Sequence, residues 1–299
     1  MALEVIRSEI GSMEVMQVVE QPIDQYYTKF LPMATPEEIQ KISWLKASHH
    51  VNKDFSLKGS SQMFIVKVNK RVLVVDTCVG NEKQLLEFPL LTNLKLEFLE
   101  TLDEIGFDRN SVTDVLCTHL HFDHVGWNTY KKGGLWLPTF PKAKYHFAKD
   151  EYDWWHEVAP VNDFLITHKD VLMQSVYPVV RAGLANFVDR DADLGDGISL
   201  LSTPGHTAAH ISVQIKSGGH TFIIGGDMCH HPCQIAKPDW AMAADFSKEQ
   251  SIESRRRIFK EIADTETLYT CIHFKSPSFG KVKKNENGEY EYRSIDFTE

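Results

Sequence analysis

Six consecutive residues, His119-Leu120-His121-Phe122-Asp123-His124, carry four side chains of metal-ligand type. They follow Asp114-Val115-Leu116-Cys117-Thr118, which reads as a short buried strand. In extended chain, residues two apart point the same way, so His119 and His121 can converge on one ion. Asp123 and His124 then reach a second ion once the chain turns. Four such groups are too many for a single open zinc site. Downstream, His206 in Thr203-Pro204-Gly205-His206-Thr207, Asp227 in Gly225-Gly226-Asp227-Met228 and His273 after Cys271-Ile272 each end a strand-like run. The set closes on two divalent ions: His119, His121 and His206 about one, Asp123, His124 and His273 about the other, with Asp227 between them and room for a bridging hydroxide. Such a centre keeps roughly one net positive charge after its two carboxylates and the hydroxide are counted, which suits a developing oxyanion and points to hydrolysis. In that chemistry one ion polarises a carbonyl or phosphoryl oxygen, the hydroxide attacks and the other ion steadies the leaving alkoxide, while Asp123 both ligates and relays a proton.

A lone histidine in a loop is ordinarily solvated or hydrogen-bonded, and His49, His50, His146, His156, His168 and His220 are read that way. Four polar groups beside one buried strand need a joint reason, because desolvating each of them is costly. The fourteen histidines of the chain are therefore in large part a metal site.

The rest of the composition narrows the class. With 299 residues, 42% hydrophobic and 24% charged, the chain is an ordinary globular protein and not a disordered, collagen-like or coiled-coil one. A net charge of −9 argues against a nucleic-acid partner. Met1 to Val15 lacks a basic segment followed by an apolar run, and no stretch reaches the roughly 18 to 20 apolar residues of a membrane span, so a soluble cytoplasmic protein with no membrane partner is expected. Cys78, Cys117, Cys229, Cys233 and Cys271 form no CxxC pair and read as buried reduced thiols.

Elements that would position these residues alternate along the chain. Gln62–Val68 and Val72–Asp76 form a hairpin about Asn69-Lys70, Leu94–Ile105 has helical spacing, and Asp114–Thr118 is a strand. Ile198–Leu201, Ile211–Ile215, Thr221–Ile224 and Leu268–Ile272 read as strands, and Ser247-Lys248-Glu249-Gln250 resembles a capping box opening a helix to about Ala263. No repeat or linker divides the chain. We expect an arm or lid over residues 1–58 and a single domain over 59–299 with an aromatic-rich insert at about 127–175. Arg255-Arg256-Arg257 reads as a solvated helix face.

His119-x-His121-x-Asp123-His124 followed by Thr-Pro-Gly-His206, Gly-Asp227 and His273 resembles the metallo-β-lactamase-fold hydrolases, from about Ser60 to Gly280. The resemblance implies an α/β (α+β) fold, a four-layer αββα sandwich with the dinuclear metal site at one edge of the sheets, two divalent ions expected to be zinc, and Asp76 supporting the site from behind. Its alternative as a turn cap stays open. The segment Gly226-Asp227-Met228-Cys229-His230-His231-Pro232-Cys233-Gln234, with Pro238-Asp239-Trp240 and His273-Phe274 to Phe279-Gly280, is similar to the branch of N-acyl homoserine lactonases and methyl parathion hydrolase. In the lactonases the residue three after the bridging aspartate is a tyrosine; here it is His230, a candidate catalytic group beside Asp123. The resemblance thus implies a lactonase opening N-acyl homoserine lactone rings, as in quorum quenching. The alternatives are an organophosphate or aryl-ester hydrolase, and after that a glyoxalase II-like thioesterase or a non-catalytic metal-binding scaffold. Trp127, Trp136, Tyr145, Tyr152, Trp154 and Trp155 are candidate pocket walls for a hydrophobic acyl or aryl group on a small-molecule substrate. The arm and the Trp-rich insert are compatible with a homodimer.

Overall fold

Strands buried on both faces need apolar residues at every position, and the central strands of this chain have them. A computed structural model describes residues 3–158 and 166–295, without the side chains of 166–168. Part of the expected insert (159–165) and the side chain of His168 therefore lie outside the described residues. The first sheet runs β1 (Glu4–Ile10), β2 (Met13–Pro22), β3 (Ser60–Val68), β4 (Arg71–Val75), β5 (Asp114–Leu116), β8 (Lys144–Ala148) and β9 (Ala185–Val188). The hairpin of β6 (Thr129–Lys132) and β7 (Leu135–Pro138) stands apart. The second sheet keeps chain order through β10 (Asp193–Gly195), β11 (Ile198–Ser202), β12 (Ile211–Ser217), β13 (His220–Ile224), β14 (Leu268–Thr270), β15 (Gly280–Lys284) and β16 (Tyr290–Ser294).

Alternation sorts each strand between layers. Phe64, Val66, Leu73, Val75 and Leu116 meet Ile211, Val213, Phe222 and Ile224 between the sheets, whereas Met63, Ile65, Val74 and Val115 face outward onto the helix Phe98–Glu104 and its neighbours. Ile223 and Tyr269 face the opposite way, onto Ile258, Phe259 and Ile262 of the helix Lys248–Ile262. The result is the expected αββα sandwich. The Ser247 hydroxyl accepts from the Gln250 N–H at 3.3 Å, the expected cap, a contact worth about 1 kcal/mol.

Three expectations change. Glu4–Pro22, assigned to an arm, pairs into the first sheet as β1 and β2, and only residues 23–58 form a separate layer, in which Ile23, Tyr27, Leu31, Ile39, Ile42 and Leu45 pack against Cys233 and Met242. The helix expected from Leu94 begins at Phe98, because Asn81 clamps Leu96 as a loop through its N–H and carbonyl. Arg255 is fully buried: Ser251, Ser254, Arg255, Ile258, Phe259 and Ile262 form the inward stripe, and the guanidinium donates to the carbonyls of Pro238 and Met228 and to the Ser251 hydroxyl. All five cysteines are free and buried. No helix among the described residues is long and apolar enough to cross a membrane.

Candidate metal centre

Parallel strand pairs expose their carboxyl ends on one edge, and loops there converge. In this chain β4, β5 and β8 run parallel in one sheet and β13 and β14 in the other. Asp76 follows β4, the His119–His124 run follows β5, Asp227 follows β13 and His273 follows β14, while His206 lies between β11 and β12. All seven sequence-predicted ligand residues reach one place.

Four groups form there among the described residues, with ligand atoms within 4.8 Å of one another: His119 with His121 and His206, His119 with His124 and Asp227, Asp123 with His124 and His273, and His206 with Asp227 and His230. His121 Nδ1 lies 2.9 Å from His119 Nε2 and 3.0 Å from His206 Nε2. Asp227 joins the groups: its Oδ2 is 3.3 Å from both His124 Nε2 and His206 Nε2, and its Oδ1 is 3.3 Å from His273 Nε2. Asp123 Oδ2 is 3.4 Å from His273 Nε2.

The far nitrogens are tied down from behind. His124 Nδ1 is 2.8 Å from Asp76 Oδ2, His206 Nδ1 is 3.0 Å from Asp245 Oδ1 and His273 Nδ1 is 3.1 Å from the Ser60 carbonyl. The Thr118 N–H and hydroxyl both donate to Asp76, at 2.7 and 2.8 Å, so the hydroxyl oxygen is left to accept from His119 Nδ1 at 3.1 Å. These partners place the protons on Nδ1 and turn the Nε2 lone pairs inward, the orientation that imidazole ligands need. Asp76 thus does more than cap a turn, and it does so at φ +52°, a left-handed backbone geometry that the surrounding contacts must sustain. Beneath Asp227, its backbone N–H donates to His210 Nε2 at 2.9 Å.

Electrostatics call for positive charge at the centre. Burial works against a proton on His124, but Asp227, Asp76 and Asp123 outweigh it and hold its pKa well above the usual imidazole value; His273 is raised by the same balance, led by Asp227. Burial alone would raise Asp227, yet His124, His273 and His230 hold it well below the carboxylate range. His119 goes the other way, pushed well below by burial and by the neighbouring imidazoles. His124 Nε2 and Asp227 Oδ1 are buried with no hydrogen-bond partner. Inward lone pairs, orphaned buried acceptors and a demand for cationic charge fit divalent ions among these side chains.

His230 also enters the centre, its Nε2 3.2 Å from Asp227 Oδ2, and both its ring nitrogens are buried without a hydrogen bond. Its ring stacks on that of His273 at 5.7 Å and 14°. The Tyr27 hydroxyl reaches the carbonyls of both His230 and His273, at 2.7 and 3.0 Å. His231 turns away, to the His50 carbonyl.

Of the expected pocket walls, Trp155 packs on His121 at 5.5 Å and Trp154 on Phe246 at 5.4 Å. The others serve elsewhere: Trp127 stacks on Phe98 in the core, Tyr145 is buried under Phe140, Trp136 lies under the Lys83 ammonium and Tyr152 packs on Phe187. In the core, Phe122 meets Phe88 at 4.5 Å. Sequence reading missed Asp245, His210 and Thr118, whose roles appear only through contacts.

The profile described as Metallo-beta-lactamase superfamily matches residues 57–265. Metallo-beta-lactamase domain-containing protein 1 of Xenopus laevis is 28% identical over 197 residues, 66% of this chain and 67% of that protein. An N-acyl homoserine lactonase of a Bacillus species is 25% identical over 167 residues, 54% of this chain and 55% of that enzyme. The solved structure of AidC, a dizinc quorum-quenching lactonase in complex with a product, N-hexnoyl-L-homoserine, superposes with a TM-score of 0.76 at 22% identity, over 100% of this chain and 99% of AidC.

Proposed function

Because the chain belongs to the metallo-beta-lactamase superfamily, we propose that it is a dinuclear zinc hydrolase that opens the lactone ring of N-acyl homoserine lactones. The observation that carries this reading is the convergence of His119, His121 and His206 on one side and Asp123, His124 and His273 on the other, with Asp227 reaching both. The N-acyl homoserine lactonase relative and the likeness to AidC support lactones as the substrate class.

Bound divalent ions at these sets would lower the pKa of a coordinated water and polarise the scissile carbonyl. Asp123, whose side chain keeps 18% of its surface open, accepts the proton released as water adds to the carbonyl carbon. The ring C–O bond then breaks, and the proton held by Asp123 passes to the leaving alkoxide while the His230 ring, which burial keeps neutral, donates a hydrogen bond to the departing oxygen, so that one water is added across the ester. Trp154 and the exposed Phe246 offer apolar surface beside the centre for the acyl chain.

Purified protein should contain two zinc ions per chain, lose lactone hydrolysis to a chelator and regain it with zinc. Activity that survives complete chelation, or fast phosphotriester hydrolysis with no lactone turnover, overturns the reading. His230→Ala should lower kcat by about 10²-fold, the range of a lost hydrogen-bond donor to the transition state, with little change in KM, while His230→Tyr restores most of it. An unchanged kcat in His230→Ala removes His230 from the chemistry.

A further inference from the structure

Among the described residues, two buried carboxylates near the centre pair with no cation, yet every lone pair is used. Glu151, 1% exposed in the first turn of the helix Lys149–Val158, accepts at Oε1 from the Leu120 N–H (3.3 Å) and the Trp155 indole (2.7 Å), and at Oε2 from the Thr207 hydroxyl (2.8 Å) and the Ala209 N–H (3.1 Å). Leu120 lies between His119 and His121, Thr207 follows His206, and Trp155 packs on His121. One carboxylate therefore ties together both loops that carry the three-histidine set.

Glu20 in β2, 4% exposed, does the same on the other side. Its Oε1 accepts from the Gly80 N–H and the Trp127 indole, both at 2.9 Å, and its Oε2 from the Val79 N–H (3.0 Å) and the Ser61 hydroxyl (3.1 Å). Val79 and Gly80 belong to the loop that holds Asp76 under His124, Trp127 is three residues beyond His124, and Ser61 is next to Ser60, whose carbonyl orients His273.

A buried charge without a counterion is expensive, and four charge-assisted hydrogen bonds are what make it tolerable. Stability alone would be served as well by apolar side chains. We propose that Glu151 and Glu20 are positioning residues, each dedicated to one ligand set: Glu151 to His119, His121 and His206, and Glu20 to Asp123, His124 and His273. This inference rests on the metal pair proposed above and adds a division of labour in its support.

Zinc titration against a chromophoric chelator tests it in two backgrounds, His273→Ala, which keeps the three-histidine set, and His121→Ala, which keeps the other. Glu151→Gln should weaken zinc about 10- to 100-fold in the first background and less than about threefold in the second, and Glu20→Gln should do the reverse. Equal losses in both backgrounds, the mark of general destabilisation, or no loss in either, overturn the proposal. If a glutamine variant proves unfolded without metal by circular dichroism, Trp155→Phe and Ser61→Ala each remove a single donor, and the same selectivity is expected at roughly two- to tenfold. A parent chain that binds no zinc refutes the metal reading itself, whereas two ions in the parent with unselective variants refute only the assignment of the glutamates.

Discussion

Asp227→Ala will abolish hydrolysis, lowering kcat/KM by at least about 10²- to 10³-fold, and will leave fewer than two ions per chain. Asp227 is the carboxylate that reaches both sets: within 3.3 Å of its two oxygens lie ring nitrogens of His124, His206, His230 and His273. Its loss strips negative charge from the inner side of a buried cluster of imidazoles, leaving Asp123 there and Asp76 and Asp245 behind the rings. On the proposed two-ion reading, the ions would then lack the charge that holds them together. The local backbone should survive, since the Asp227 N–H and its bond to His210 are unaffected by the side chain. Asp227→Asn separates charge from volume: it fills the same space, keeps one acceptor oxygen and should still lose an ion. Metal analysis beside the activity assay checks both variants. Two ions and full turnover in Asp227→Ala would end the bridging role.

Gly126→Ala will cost about 3 kcal/mol or more, the upper end of overpacking, and lower the thermal midpoint by roughly 6 °C or more. A Cβ on Gly126 would stand 1.8 Å from the Val79 carbonyl oxygen, 2.0 Å from its carbon and 2.6 Å from the Cys78 oxygen. Every one of these is main chain, so no side chain can swing away. The crowding is mutual, since a Cβ on Gly80, at φ +79°, would meet the Gly126 carbonyl carbon at 2.7 Å. The Gly126 N–H donates to Cys78 and the Trp127 N–H to Thr77, which locks the two segments at that spacing. The displaced loop carries Asp76, so the 2.8 Å contact to His124 should fail as well. Thermal unfolding of the metal-free variant is the check, and a midpoint equal to that of the parent refutes the argument.

The contrast between what was readable and what was not follows the range of the contacts. His119, His121, Asp123 and His124 are readable because four donors share six residues, and His206, Asp227 and His273 because each ends a strand beside small residues. Asp245 meets His206 from 39 positions away and Glu151 meets Thr207 from 56, so no local spacing marks either of them. Strand β2 is hidden by its own buried polar residues, Gln17 and Glu20, which break an apolar pattern although the fold gives partners to the Gln17 amide nitrogen and to the Glu20 carboxylate. Arg255 was misread because three adjacent arginines look like one charged face, whereas the helical phase sends Arg255 inward and leaves Arg256 and Arg257 outside. Local sequence thus announces the atoms that could touch metal, and the scaffold that aims them emerges only in three dimensions.

The order in which the centre receives its parts carries a consequence for biosynthesis. His119 to His124 leave the ribosome early, whereas His273 arrives with β14, which must pair beside β13, about 150 residues later. A nascent chain that ends before Ile272 holds the residues of the three-histidine set and lacks a ligand of the other. On the proposed metal reading the second ligand set closes only when both sheets have paired, so that full metal loading would mark a finished chain.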